Sequence, residues 1–167
     1  MALIHEDVTQ RIIEAAMKVH TALGAGLLES TYNACLVHEF TSRGLQFQHQ
    51  VRLPVTYEAK TIDAGYRIDF IVENCVIVEL KAVEKLLPLH TAQLITYLKL
   101  SGRRVGLLLN FNVPHLRQGI KRVVNGYEVP LGNDLPSVSS VSPWWRARTW
   151  RADLPHPESP SPTAPCS

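Results

Sequence analysis

The sequence predicts an α/β domain, a mixed β-sheet flanked by helices. Three observations carry this. Through residue 127, helix-period and strand-like segments follow one another in the order α-α-β-β-β-α-β, a pattern that packs helices against a sheet. The continuous apolar run Val105–Phe111 has the composition of a strand buried on both faces. With 167 residues, 46% hydrophobic and 19% charged, the chain suits one buried core and is not a wholly disordered polymer.

Each element has a local reason. From Val8 to Leu23 the apolar residues Val8, Ile12, Ala15, Ala16, Val19 and Leu23 recur at three- and four-residue steps, which predicts an amphipathic helix. Gly24 and Gly26 end it, with Gly24 at the C′ position. A second helix is expected over about residues 27–43, closed by Gly44. Strand-like runs follow over 45–57, interrupted by Pro54, then over 65–73 and 76–83. Residues 89–100 have helical period and end at Ser101-Gly102, and a last short strand is expected over 120–125.

Composition divides the chain at residue 127. Residues 128–167 hold eight of the eleven prolines, together with Trp144, Trp145 and Trp150 interleaved with Arg146, Arg148 and Arg151. Such a segment has no periodic apolar face, so the expected organisation is a folded domain over 1–127 and a Pro/Ser-rich disordered tail over 128–167. No apolar run approaches the 18–20 residues that span a bilayer, and the start, MALIHEDVTQRI, carries acids where a secretory signal carries bases. Cys35, Cys75 and Cys166 are odd in number and far apart, which points to neither a disulfide framework nor a zinc site. The expectation is a reduced cytoplasmic protein without a membrane partner. The formal charge of +2 gives no bulk argument for nucleic acid.

The stretch YRIDFIVENCVIVELKAV, residues 66–83, is where charge enters an apolar background. If its two runs form a hairpin centred on Asn74, facing residues have numbers that sum to 148, and Asp69 then faces Glu79. Facing Cβ atoms lie about 4.5–5.5 Å apart. Alternation puts Lys81 on the side of Glu79 and turns Leu80 the other way. Two close carboxylates in an apolar sheet repel, and a divalent cation with hard oxygen ligands resolves the repulsion. The plainer alternative is a surface ion pair of Glu79 with Lys81 beside a solvated Asp69. Gln93 and Tyr97, at i and i+4, share a helix face with His90. From Lys85 to Tyr127 there are seven basic residues and no acid, with Arg103 and Arg104 expected beside the site, a local field that suits a polyanion.

Asp69, then Glu79-x-Lys81 in an apolar strand followed by a helix and another strand, resembles the PD-(D/E)XK nuclease superfamily. Gln93 and Tyr97 match the Q-x-x-x-Y element of its RecB-like branch, and Gly26, Glu29 and Tyr32 match the G-x-x-E-x-x-Y pattern of the family named after it. Ile68 stands where the nominal motif has proline. The resemblance implies a restriction-endonuclease-like core, α-β-β-β-α-β, and a Mg²⁺- or Mn²⁺-dependent nuclease acting on nucleic acid, with DNA ahead of RNA. Asp69 and Glu79 would be metal ligands, the Leu80 carbonyl a third, and Glu29 an additional carboxylate from the core helix, directly on the metal or through water. Lys81 would be the catalytic lysine. Gln93, Tyr97 and His90 would meet phosphates or bases. Glu29 also reads as an acid favourable to a helix N-terminus. The alternative function is a catalytically weak nucleic-acid-binding or protein-interaction module that keeps the nuclease fold.

Overall fold

The computed structural model describes residues 4–63 and 65–126. The expected boundary at 127 and the Trp/Arg/Pro-rich stretch 128–167 lie outside the described residues.

Two helices open the chain, α1 (Glu6–Leu23) and α2 (Glu29–Ser42). Gly24, at φ 71° and ψ −167°, ends α1 in a conformation open essentially to glycine alone. The second helix begins two residues later than its periodicity suggests, because Leu28 is extended at its N-cap. Tyr32 accounts for the connecting loop: its hydroxyl donates to the Gly24 carbonyl at 2.8 Å and accepts the Leu27 N–H at 3.1 Å. Its buried ring stacks on Phe111 at 4.5 Å between centroids. The tyrosine of the G-x-x-E-x-x-Y pattern is thus a packing residue that ties the interhelical loop down.

Five strands form the main sheet in the order β1 (Phe47–Arg52), β4 (Arg67–Val72), β5 (Val76–Lys81), β6 (Val105–Asn110) and β7 (Ile120–Val124). Only β5 and β6 are parallel, joined through α3 (Pro88–Ser101). The fold is therefore the mixed sheet flanked by helices that the sequence predicts. Pro54 has no N–H for a ladder, and after it the expected long strand leaves the sheet for a separate small hairpin, β2 (Val55–Tyr57) with β3 (Lys60–Ile62). That hairpin, and a 3₁₀ turn at Leu116–Gly119, have no counterpart in the periodicity.

Two apolar clusters hold the layers together. Helices α1 and α2 pack with Phe70, Val72, Val78, Leu80, Leu107 and Leu109 on one face. Helix α3 packs with Ile71, Ile77 and Leu108 on the other through Leu94, Tyr97 and Leu98. Gly106 permits that approach, since a Cβ there would lie 2.8 Å from Leu94. All six residues of β6 are buried, as its unbroken apolar run requires. Among the described residues no helix is long and apolar enough to cross a membrane.

Candidate metal and active site

The β4–β5 register is Phe70↔Val78, Ile71↔Ile77 and Val72↔Val76, and all three sums equal 148. The same register brings Asp69 opposite Glu79, but there the ladder stops. The Leu80 N–H, which a continued ladder would hand to a β4 carbonyl, donates to Asp69 Oδ2 at 2.9 Å. On the other side β1 skips one pairing: His49↔Phe70 and Val51↔Ile68 are paired, while Gln50, which would face Asp69, is not. Gln50 has φ 53°, a left-handed conformation that costs a non-glycine residue roughly 1–2 kcal/mol, and its Nε2 donates to Asp69 Oδ1 at 2.9 Å. Both neighbouring strands give way around Asp69, and each of its carboxylate oxygens is held by an N–H donor.

Glu79 is only 3% exposed. Its Oε1 accepts from Lys81 Nζ at 2.7 Å, while its Oε2 is buried without a hydrogen-bond partner among the described residues. Burial, helped by the negative charge of Asp69, pushes this carboxyl up to about 7 against the opposing pull of Lys81. Burial would lower the Lys81 ammonium, but the hydrogen bond to Glu79 and the charges of Glu79, Glu29 and Asp69 outweigh it and hold the group above its ordinary value. One lysine faces more negative charge than it neutralises.

Glu29, expected as an extra carboxylate directly on the metal or through water, is near enough for its charge to act on Glu79 and Lys81. Glu29 Oε2 accepts the Ala82 N–H at 3.2 Å, and among the described residues no three His, Cys, Asp or Glu side chains come close enough together to hold an ion. One of the two Glu29 oxygens is thereby tied to the backbone just after Lys81. Buried Asn110, absent from the sequence-based site, clamps the same segment: its Oδ1 accepts the Val83 N–H at 3.1 Å and its Nδ2 donates to the Val83 carbonyl at 2.8 Å. Gln50 was equally invisible, since nothing in QHQV announces which glutamine makes a hydrogen bond 19 positions away. Asp69, Gln50, His49, Asn33, Ser30 and Glu29 line a cleft of ≈ 450 Å³ beside the carboxylates. His49 Nε2 is hydrogen-bonded to Asn33 Oδ1, and its ring stacks on Phe70.

The residues fit a hard divalent cation. The donors are carboxylate oxygens, one of them buried and unpartnered, and a two-carboxylate site leaves positions open for water and a phosphate, as Mg²⁺ requires.

Helix α3 borders this site. Burial raises the Tyr97 hydroxyl, the Gln93 hydrogen bond opposes, and the charges of Glu79, Lys81 and Asp69 all reach it. Gln93 Nε2 donates to that hydroxyl at 2.6 Å. His90 turns its Nδ1 inward to accept the Leu87 N–H at 3.1 Å, which makes it a helix cap first. The expectation for Arg103 and Arg104 is corrected. Because β5 and β6 are parallel, with Val76↔Val105 and Lys81↔Asn110, residues 103 and 104 precede the strand end farthest from Lys81. Arg103 Nη2 donates there to Asn74 Oδ1 at 2.7 Å, in the β4–β5 turn.

A family model described as the PD-(D/E)XK nuclease superfamily matches residues 6–123, more than half of the chain. Comparisons with curated proteins and with solved structures give no significant match.

Proposed function

The chain belongs to the PD-(D/E)XK nuclease superfamily, and from that premise we propose that it is a divalent-metal-dependent nuclease hydrolysing phosphodiester bonds of nucleic acids, DNA ahead of RNA. Within the superfamily we assign it to the G-x-x-E-x-x-Y family of the RecB-like branch, on Gly26, Glu29 and Tyr32 and on Gln93 and Tyr97. The observation that carries the reading is the Glu79 carboxylate, buried beside Asp69, hydrogen-bonded to Lys81 through one oxygen and unpartnered at the other. Structural ion pairs rarely leave a buried carboxylate oxygen orphaned, and perturbed carboxyls cluster at functional sites.

Asp69 and Glu79 would hold Mg²⁺ or Mn²⁺, with the carbonyl of Leu80, the residue after Glu79, as a third oxygen. A cation bound there would supply Lewis-acid charge to a phosphate oxygen. The chain's own residues do the rest. Gln50 and the Leu80 N–H fix the Asp69 carboxylate. Lys81, released from Glu79, offers an ammonium to a phosphate oxygen or to the attacking water and stabilises the charge that develops in the transition state. Gln93 and Tyr97 lie on the α3 side and would orient the substrate. The free thiols Cys35 and Cys75 suit the cytoplasmic location that belongs to this reading.

The test joins hydrolysis to metal binding. Plasmid and single-stranded substrates are incubated with Mg²⁺, Mn²⁺ or EDTA, and melting is followed with the same ions. Binding to the native state alone adds about 2.7 kcal/mol of stability at a hundredfold excess over Kd. Wild type should melt several degrees higher with Mn²⁺, and Asp69→Asn should lose that shift. No shift for wild type, or an equal one for Asp69→Asn, would sink the metallonuclease reading. A second reading, a binding module with little turnover, draws on the engagement of Lys81 by Glu79 at 2.7 Å; a metal shift without cleavage would favour it.

A further inference from the structure

The inference deepens the proposed nuclease reading by naming its substrate class, and starts from an arrangement that is unfavourable in the protein alone. Arg52 and Arg67 are direct partners across β1 and β4, both exposed. Like charges directly opposite on neighbouring strands are destabilising. Arg52 reaches exposed Asp63 at 3.4 Å, and Arg67 has no acidic partner among the described residues. The pair stands at the site end of the sheet, since Arg67 is two positions from Asp69 and the 148 register aligns it with Lys81. Beside it is Tyr66, whose backbone carbonyl is fixed by the Leu53 N–H at 2.9 Å. Tyr66 is 45% exposed, and its ring meets the buried Tyr97 ring edge-on, 6.2 Å between centroids. A half-exposed aromatic side chain directly before β4, flanked by Arg67 and by Arg52, whose guanidinium is shared with exposed Asp63, offers a base a stacking partner and the adjoining phosphates cationic contacts. A base can reach such a ring only when its own face is uncovered, which a stacked duplex does not allow.

We propose that Tyr66, Arg52 and Arg67 form a docking strip for single-stranded nucleic acid that leads the strand to Asp69 and Glu79. The test uses the full chain in EDTA, so that no strand is cut, and the anisotropy of a fluorescein-labelled 20-mer as single-stranded DNA, single-stranded RNA and duplex DNA. At least one single strand should bind about tenfold or more tightly than the duplex. Tyr66→Ala should weaken that binding about tenfold and Tyr66→Phe should retain it, because the ring and not the hydroxyl carries the contact. Arg67→Gln should lower the slope of log K against log salt by about 0.7. The strip is overturned if the duplex binds as well as the single strands, if nothing binds, or if Tyr66→Ala binds like wild type. Single-strand binding lost in Tyr66→Ala, without hydrolysis by wild type in Mg²⁺ or Mn²⁺, supports the strip and removes the nuclease reading. Hydrolysis by wild type with Tyr66→Ala binding unchanged does the reverse.

Discussion

The two ends of the β4–β5 hairpin are built from the same two strands, yet they resolve their polar groups in opposite ways. At the turn, Glu73 and Asn74 take φ values of 48° and 54°, as a type I′ turn requires, and Cys75 N–H closes it on the Val72 carbonyl at 3.1 Å. Glu73 N–H donates to the Gln46 carbonyl at 2.8 Å, and Asn74 Oδ1 takes Arg103. Backbone strain there closes a hairpin whose polar groups find partners. At the far end, strain in Gln50 coincides with a ladder that stops, a carboxylate standing in for a backbone carbonyl, and a buried Glu79 oxygen with no partner. The difference shows that the tight turn fixes a register whose far end brings two carboxylates together and leaves one buried oxygen without a partner among the described residues.

The largest expected effect removes the ammonium that is hydrogen-bonded to Glu79. Lys81→Ala should lower the rate of phosphodiester hydrolysis at least a hundredfold, about 3 kcal/mol of barrier, while the manganese melting shift persists. Retained turnover in a folded Lys81→Ala protein would show that the site end does not work through this lysine.

Next in size is a pH effect confined to the same end. The Glu79 carboxyl is raised from 4.5 to about 7, so the folded protein holds this proton more tightly than the unfolded chain. The resulting stability is complete below about pH 4.5 and is lost as pH rises through about 7. Metal-free protein should therefore resist urea better at pH 5 than at pH 7.5, by at most about 3 kcal/mol. Glu79→Gln should flatten the curve in that window, and a slope that survives the substitution would assign the titration elsewhere.

Asp69→Asn should act at both ends of an opposing pair of effects. An amide keeps one acceptor for the two donors, Gln50 Nε2 and Leu80 N–H, and turns its own NH₂ toward the other, which costs about 1–3 kcal/mol. It also deletes the charge that helps raise Glu79. Chemical denaturation should give a net loss of about 1 kcal/mol at pH 5, and the pH midpoint of stability should move below 7. An unmoved midpoint would separate the two carboxylates electrostatically.

The smallest effect belongs to the turn. Arg103→Ala breaks the bond to Asn74 and should cost about 1 kcal/mol of stability, with hydrolysis within about twofold of wild type. A tenfold fall in turnover would erase the distinction between the ends.

Much of this was legible in the chain itself. Alternation around Glu73-Asn74-Cys75 is enough to pair 69 with 79, because a strand's side-chain period of two leaves no latitude once the turn is placed. The apolar setting of Asp69, Glu79 and Lys81 likewise sets them apart in the sequence as charges placed in a core. The stop of α1 at Gly24 was legible too, whereas the start of α2 was not, since Leu28 acts through its extended backbone rather than through periodicity.

By itself, then, the sequence determined the layered α/β fold, the hairpin register and the strand that carries the charged residues, because these depend on local period and burial. The tertiary structure decided what long-range hydrogen bonds and strand direction control: that Glu29 holds Ala82, that Gln50 and Asn110 support the site, and that parallel β6 sends Arg103 and Arg104 to the other end. Partners 19 to 53 positions apart meet only after the sheet has formed, and no local pattern specifies which of several polar residues will do so.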